Sequence, residues 1–120
     1  MKLGSADGSF VVEECVDDGE TSEERPVAPL HLHHAEDEAW YVLEGALGFR
    51  VGEETKEVPA GAGLVVERGT PHTFWNASGR RTRYLIVMAP TTARLVEAIH
   101  TGKTTDVRAL FAEYDSELLV

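Results

Sequence analysis

The sequence predicts an all-β barrel or sandwich followed by a short helical extension. Three observations predict it. Short runs rich in β-branched and aromatic residues fill the first three-quarters of the chain. Turn signals separate them about every eight to twelve residues. Helical spacing appears only in the last quarter.

Residues 9–16, partly alternating and β-branched, read as a first strand. Residues 17–29 are acidic and carry Gly19, Pro26 and Pro29, so a long loop or extended arm is expected, mobile over 17–25. Short strands follow at 30–34, 39–43 and 46–51, the last turning at Gly52-Glu53-Glu54 into 55–58. The cluster Pro59-Ala60-Gly61-Ala62-Gly63 is a turn, and strands at 64–67, 73–75 and 81–88 complete the set.

Thr91 and Thr92 precede the helical run 93–100, with Gly102 just beyond, as hydroxyl caps and a terminal glycine do. From Thr104 a second helix places Val107, Leu110, Phe111 and Tyr114 on one stripe. Both helices are expected on the outside of the barrel. The whole chain reads as one domain, the barrel over about 8–90 and the helices over about 91–118.

With 120 residues and 42% hydrophobic content, the chain has material for a core without disulfides. Cys15 is the single cysteine, and no apolar stretch follows the N-terminal Met1-Lys2, so a cytoplasmic location is expected. No run approaches the roughly 20 apolar residues of a membrane span. The net charge of −10 repels phosphate backbones and anionic lipid, which excludes nucleic acid and membranes as partners.

The chemistry concentrates in Pro29-Leu30-His31-Leu32-His33-His34-Ala35-Glu36-Asp37-Glu38. Residues two apart on a strand point the same way and sit about 6.6 Å apart. His31 and His33 can therefore converge on one ion, while His34 points away. Glu38 opens the next strand and shares a face with Trp40 and Val42; His72 shares one with Phe74 and Asn76. Three imidazoles and a carboxylate form a ligand set for a divalent transition metal. A His-x-His pair alone is more often two surface imidazoles; each further ligand at fitting parity argues against coincidence.

Trp40 and Phe74 are the candidate substrate-pocket residues, with core filling as the plainer role. Tyr41 and Trp75 face the other way, under the helices or at a subunit contact. Asn76 reads as a turn stabiliser, Cys15 as a small buried hydrophobe and His100 as a helix-end residue favoured by the dipole. Arg25 is a weak candidate for the pocket mouth.

The chain resembles the cupins, and the resemblance covers both motifs of that family. His31, His33, Glu38 and Gly45 fit the first; Gly61, Gly69, His72 and Asn76 fit the second. Arg25 stands where the first motif's opening glycine falls, and Glu67 where the second motif's proline falls. The stretch 36–45 is similar to small bacterial cupins of the quercetin 2,3-dioxygenase-like kind. The resemblance implies a double-stranded β-helix, a jelly-roll barrel. It also implies one metal ion (Fe, Mn, Ni, Co, Cu or Zn) held by His31, His33, Glu38 and His72, and a homodimer.

Four protein ligands on an ion that prefers six leave two positions for a bidentate substrate, or for substrate plus dioxygen or water. By resemblance, the chain is expected to be an enzyme acting on a small organic molecule, a dioxygenase of enol or aromatic compounds, with Glu38 as the catalytic proton acceptor. The competing expectations are a metal-assisted isomerase or cyclase, and a small-molecule-binding or sensing protein without turnover. No organic cofactor is expected.

Overall fold

A computed structural model describes residues 1–102 and 105–120. It shows two five-stranded antiparallel sheets. In chain order the elements are β1 (Lys2–Gly4), β2 (Val11–Asp17), β3 (His31–His33), β4 (Glu38–Glu44), β5 (Ala46–Val51), β6 (Glu54–Pro59), β7 (Gly63–Val66), β8 (His72–Asn76), β9 (Thr82–Met88), α1 (Pro90–Thr101), α2 (Val107–Glu113) and β10 (Ser116–Leu118). One sheet runs β1-β2-β9-β4-β7 and the other β10-β3-β8-β5-β6. The interleaving of early and late strands in both sheets is that of a double-stranded β-helix.

Alternation along the strands builds the core. On β9, Thr82, Tyr84, Ile86 and Met88 are buried and the residues between them are not. Across the first sheet the inward rows are Val11–Met88–Glu38–Val66 and Glu13–Ile86–Trp40–Leu64. Facing them from the second sheet are Phe49, Phe74 and Leu47, and the Phe49 and Phe74 rings stack at 5.7 Å. A slip of one residue in either sheet would turn these side chains to solvent, so the apolar pattern fixes the register.

Two glycines are required by close packing. Gly45 has φ +82°, and a Cβ there would collide with the Thr82 hydroxyl as β4 hands over to β5. Gly48 lies opposite Trp75, whose indole fills the space a Cβ would need. Trp75 does turn away from the barrel interior, but it is covered by its own sheet, lying over Gly48, and needs no helix or second subunit to bury it.

The N-terminal arm is pinned rather than mobile. Asp17 accepts from the backbone N–H of Gly19 and Glu20, both at 2.8 Å, and from the Thr21 hydroxyl. Val27 N–H donates to Phe74 O at 2.9 Å, and Thr73 Oγ1 donates to Ala28 O, so the arm's end runs beside β8. Arg25 sits in an exposed turn closed by its reciprocal backbone bonds with Ser22 and does not reach the cavity mouth. Asn76 is the turn stabiliser expected of it: its amide donates to Arg80 O and Asp17 O, and its oxygen accepts from Ser78 and Thr82.

Helix α1 begins earlier than the hydroxyls suggest, at Pro90, whose fixed φ suits a first turn. Its N-cap, Ala89, offers no side chain. The cap comes from elsewhere: the Glu36 carboxylate accepts from Thr91 N–H at 3.2 Å, Thr92 N–H at 2.7 Å and Thr92 Oγ1 at 2.9 Å. Gly102 closes the helix in the left-handed conformation, as expected. For α2 the expected start at Thr104 lies outside the described residues; Asp106 caps it through Ala109 N–H. Val107 stays exposed, and Phe111 alone of its stripe is fully buried. No described helix is long and apolar enough to cross a membrane.

Candidate metal centre and cavity

His31, His33, Glu38 and His72 meet inside the barrel, all buried. The strands place them: β3 presents His31 and His33 at positions two apart, His72 pairs with His31 across β8, and Glu38 enters from the other sheet at the head of β4. One ligand atom from each lies within 4.8 Å of all the others. Donors held at about 2.1 Å from a shared ion lie about 3.0 Å apart when adjacent and about 4.2 Å when opposite. His33 Nε2 and His72 Nε2 stand 3.0 and 3.2 Å from Glu38 Oε1, the adjacent spacing.

The back of each imidazole is committed. His31 Nδ1 donates to Pro29 O at 2.7 Å and His72 Nδ1 donates to Thr70 O at 2.9 Å. His33 Nδ1 donates to Ser116 Oγ at 2.7 Å, and that hydroxyl donates in turn to Tyr114 O. Carbonyl oxygens only accept, so His31 and His72 carry their protons on Nδ1, and the Ser116 relay fixes the same tautomer on His33. Every Nε2 lone pair therefore turns toward Glu38. His33 Nε2 is buried without an aligned hydrogen-bond partner despite its closeness to Oε1. Lone pairs and a carboxylate facing one another at these distances repel unless a cation lies between them. The residues fit a divalent ion.

Charge states agree with that fit. Burial, then the neighbouring His72, pushes the His31 ring down to about 4, so it is neutral at pH 7. Burial pushes the Glu38 carboxyl up, but its closeness to His33 and His72 outweighs burial and holds the group down at about 2. Glu38 is anionic at neutral pH. His34, of opposite parity, is exposed and lies 3.7 Å from Glu117.

The family model for the cupin domain matches residues 16–88, well over half of the chain. The chain belongs to the cupin family. A protein of Streptomyces coelicolor is 33% identical to this cupin over 75 residues, which cover 62% of this chain and 64% of that one; this cupin thus spans just under two-thirds of that relative. Among solved structures, the cupin domain of Cnp3 from Schizosaccharomyces pombe superposes with a TM-score of 0.60 at 19% identity, covering 85% of this chain and 69% of that one. A sugar phosphate isomerase of the cupin superfamily from Silicibacter pomeroyi gives 0.57 at 24% identity, covering 68% and 51%. Both likenesses show the fold.

A cavity of about 410 Å³ opens onto the ligand cluster. Trp40 and Phe74, the two aromatics expected inside, both line it. Trp40 also has a core role, packing edge-on to Phe49 at 5.1 Å, and its Nε1–H is buried without a partner. The helices are not simply outside the barrel. Leu95 and Ile99 of α1 line the cavity, and Phe111 of α2 stands edge-on to His31 with ring centres 5.4 Å apart. They cap the end of the barrel that holds the histidines.

Sequence reasoning missed six contributors. Ser116, on the short strand β10, orients His33. Phe111 walls the site, and its burial on a helical stripe was the available signal. Glu13, Cys15 and Tyr84 face the cavity from β2 and β9. Burial pushes the Cys15 thiol up to about 11, so it is an inert wall rather than a nucleophile. Glu36 ties the loop between His33 and Glu38 to α1.

Proposed function

We propose that this cupin is an enzyme acting on a small organic molecule at a single divalent transition metal ion held by His31, His33, Glu38 and His72. One observation carries the reading: all three Nδ1 protons are spent on oxygen acceptors behind the rings, so three Nε2 lone pairs and one carboxylate converge. An ion held there supplies Lewis acidity to a chelating substrate oxygen.

The chain's own residues supply the rest. Trp40, Phe74 and Phe111 give the cavity flat apolar walls, which suit an aromatic or enolic body. Leu95 and Ile99 keep water from its helical end. Glu38 is the carboxylate of the cluster, and as an anion it accepts the proton that a chelating hydroxyl gives up. These features favour dioxygenase chemistry on enol or aromatic substrates, the kind found in the quercetin 2,3-dioxygenase-like cupins. The sugar phosphate chemistry of the Silicibacter protein has less support, because no Lys or Arg lines the cavity among the described residues.

Oxygen consumption by iron-, manganese-, nickel-, cobalt- or copper-loaded protein against an enol and catechol panel tests the reading. Uptake that depends on substrate supports it. Turnover that persists without oxygen points to an isomerase or cyclase, and tight binding without turnover to a sensing module.

A homodimer belongs to the same reading. The outer face of the first sheet carries Leu3, Val12, Val87, Ala39 and Val65 in one row across all five strands. Leu3 and Val65 are 55% and 62% exposed, an apolar stripe that a second copy would cover. Sedimentation that finds only monomer contradicts this.

A further inference from the structure

We infer that Asp37 and Arg68 are positioning residues of the metal centre, holding the ligand carried by the first sheet at coordination distance from the three carried by the second. The inference rests on the metal-centre reading above and adds what keeps that centre in register.

Among the described residues the two sheets share no strand pairing. Glu38 stands on the first sheet; His31, His33 and His72 stand on the second. The gap an ion must bridge is therefore the gap between sheets, and no backbone ladder fixes it. Two loops cross that gap beside the ligands. Residues 34–37 carry the chain from His33 to Glu38, and residues 67–71 carry it from β7 back to His72.

The two crossings are tied to each other. Asp37 Oδ1 accepts from the Arg68 backbone N–H at 2.9 Å and from Arg68 Nε at 3.1 Å, and Asp37 Oδ2 accepts from Arg68 Nη2 at 3.2 Å. Gly69 N–H donates to His33 O at 2.7 Å. Each anchor adjoins a ligand. Asp37 precedes Glu38, Gly69 holds the His33 carbonyl, and Thr70 O of the same loop holds the His72 ring. The ladder between β4 and β7 ends at the Glu38–Val66 pair, and beyond it the Asp37 side chain continues the connection. Glu67 stands where the second cupin motif's proline falls, so no pyrrolidine ring stiffens the entry to this loop. The fork on the next residue supplies the constraint instead.

The pair is exposed, with 45% of the Asp37 side chain and 62% of the Arg68 side chain open to solvent. An exposed ion pair adds little to folding stability. A two-pronged guanidinium–carboxylate contact does fix direction as well as distance. Ligand sets need their donors held within about 0.5 Å. The contact is thus suited to geometry rather than to stability.

Cobalt(II) binding provides the test. Asp37→Ala is expected to weaken it about tenfold, read by competition against a chromophoric chelator, and to change the visible absorption of the bound ion, which reports coordination geometry. Arg68→Ala should also weaken binding, by less, since its backbone N–H bond to Asp37 survives. The two changes alter local charge in opposite directions, so a purely coulombic effect would weaken binding in the first and tighten it in the second. Arg68→Lys keeps the charge without the fork and should share the spectral change; it tests the inference even if Asp37→Ala folds poorly. The thermal midpoint of each metal-free variant should stay within about 2 °C of the unaltered protein. Lys56→Ala, which breaks an exposed ion pair with Glu54 on β6, should leave affinity and spectrum in place. Affinity and spectrum unchanged in folded Asp37→Ala or Arg68→Lys, opposite signs in the two alanine variants, or an equal loss in Lys56→Ala overturns the positioning role and leaves the metal reading standing. So does a loss of affinity matched by a large fall in the metal-free midpoint. Unaltered protein that binds no cobalt(II) sinks the metal-centre reading and this inference with it.

Discussion

Ser116 Oγ accepts the Nδ1 proton of His33 at 2.7 Å, across 83 positions of sequence. The bond fixes which nitrogen of His33 faces the ligand cluster, and Ser116 holds its own orientation by donating to Tyr114 O at 3.0 Å. Ser116→Ala removes the acceptor without touching a ligand. Metal affinity is expected to fall roughly 10- to 100-fold, with the fold retained. Competition against a chromophoric chelator measures it. Affinity within twofold of the unaltered protein contradicts the orienting role.

Glu36 caps α1 from the loop that joins His33 to Glu38. Glu36→Gln keeps the shape but loses the charge that faces the helix N-terminus and the strongest acceptor for Thr92 N–H. About 1 kcal/mol of stability should be lost, a fall in Tm of about 4 °C for a chain of this size. Thermal unfolding by circular dichroism reads it directly, and an unchanged midpoint removes the cap from the stability balance.

The His31, His33, Glu38 and His72 cluster was legible in the sequence because strand parity converts spacing into direction: His31 and His33 must share a face, and His34 must not. The same rule placed Trp40 and Phe74 inside. What parity cannot supply is the partner of a side chain across the fold. Ser116 meets His33 only after α2 and β10 fold back onto β3, and the three-residue β10 and β1 are too short to show alternation. Glu36 reads as a surface acid until the N-terminus of α1 lies against it. The helices were placed on the outside because their apolar stripes name a buried face and not the surface they bury; Phe111 shows that the surface is the site itself. Trp75 was judged by facing alone, and its cover, Gly48, lies on a strand 27 positions earlier in sequence.

Gly48→Ala should therefore disturb the outer face of the second sheet, since the new Cβ would collide with the Trp75 indole. A loss of about 1–3 kcal/mol is expected from overpacking. Chemical denaturation tests it. A double change that also shortens Trp75 to Leu should recover part of the loss, and no recovery would point to a cause other than this contact.

Asp17 links the arm to β8 and β9. Burial raises its pKa, but hydrogen bonds from Thr21, the Gly19 and Glu20 backbone and Asn76 outweigh burial and hold it below its ordinary 3.8. The unfolded chain therefore binds this proton more readily than the folded one. The stabilisation is fully present above the ordinary value and is lost as pH falls through the depressed folded value. Asp17→Asn should remove that acid-limb slope while lowering stability at pH 7. An acid limb identical in the two proteins would show that Asp17 does not titrate as described.

The convergence of three Nε2 atoms and one carboxylate is tested most directly by metal analysis of protein purified without chelator or nickel affinity resin. The unaltered chain should carry close to one equivalent of a divalent transition metal, and His31→Ala and His72→Ala should each lose most of it. A double variant that stays folded and fully loaded, or an unaltered chain that takes up no such ion even when offered one, would contradict the site.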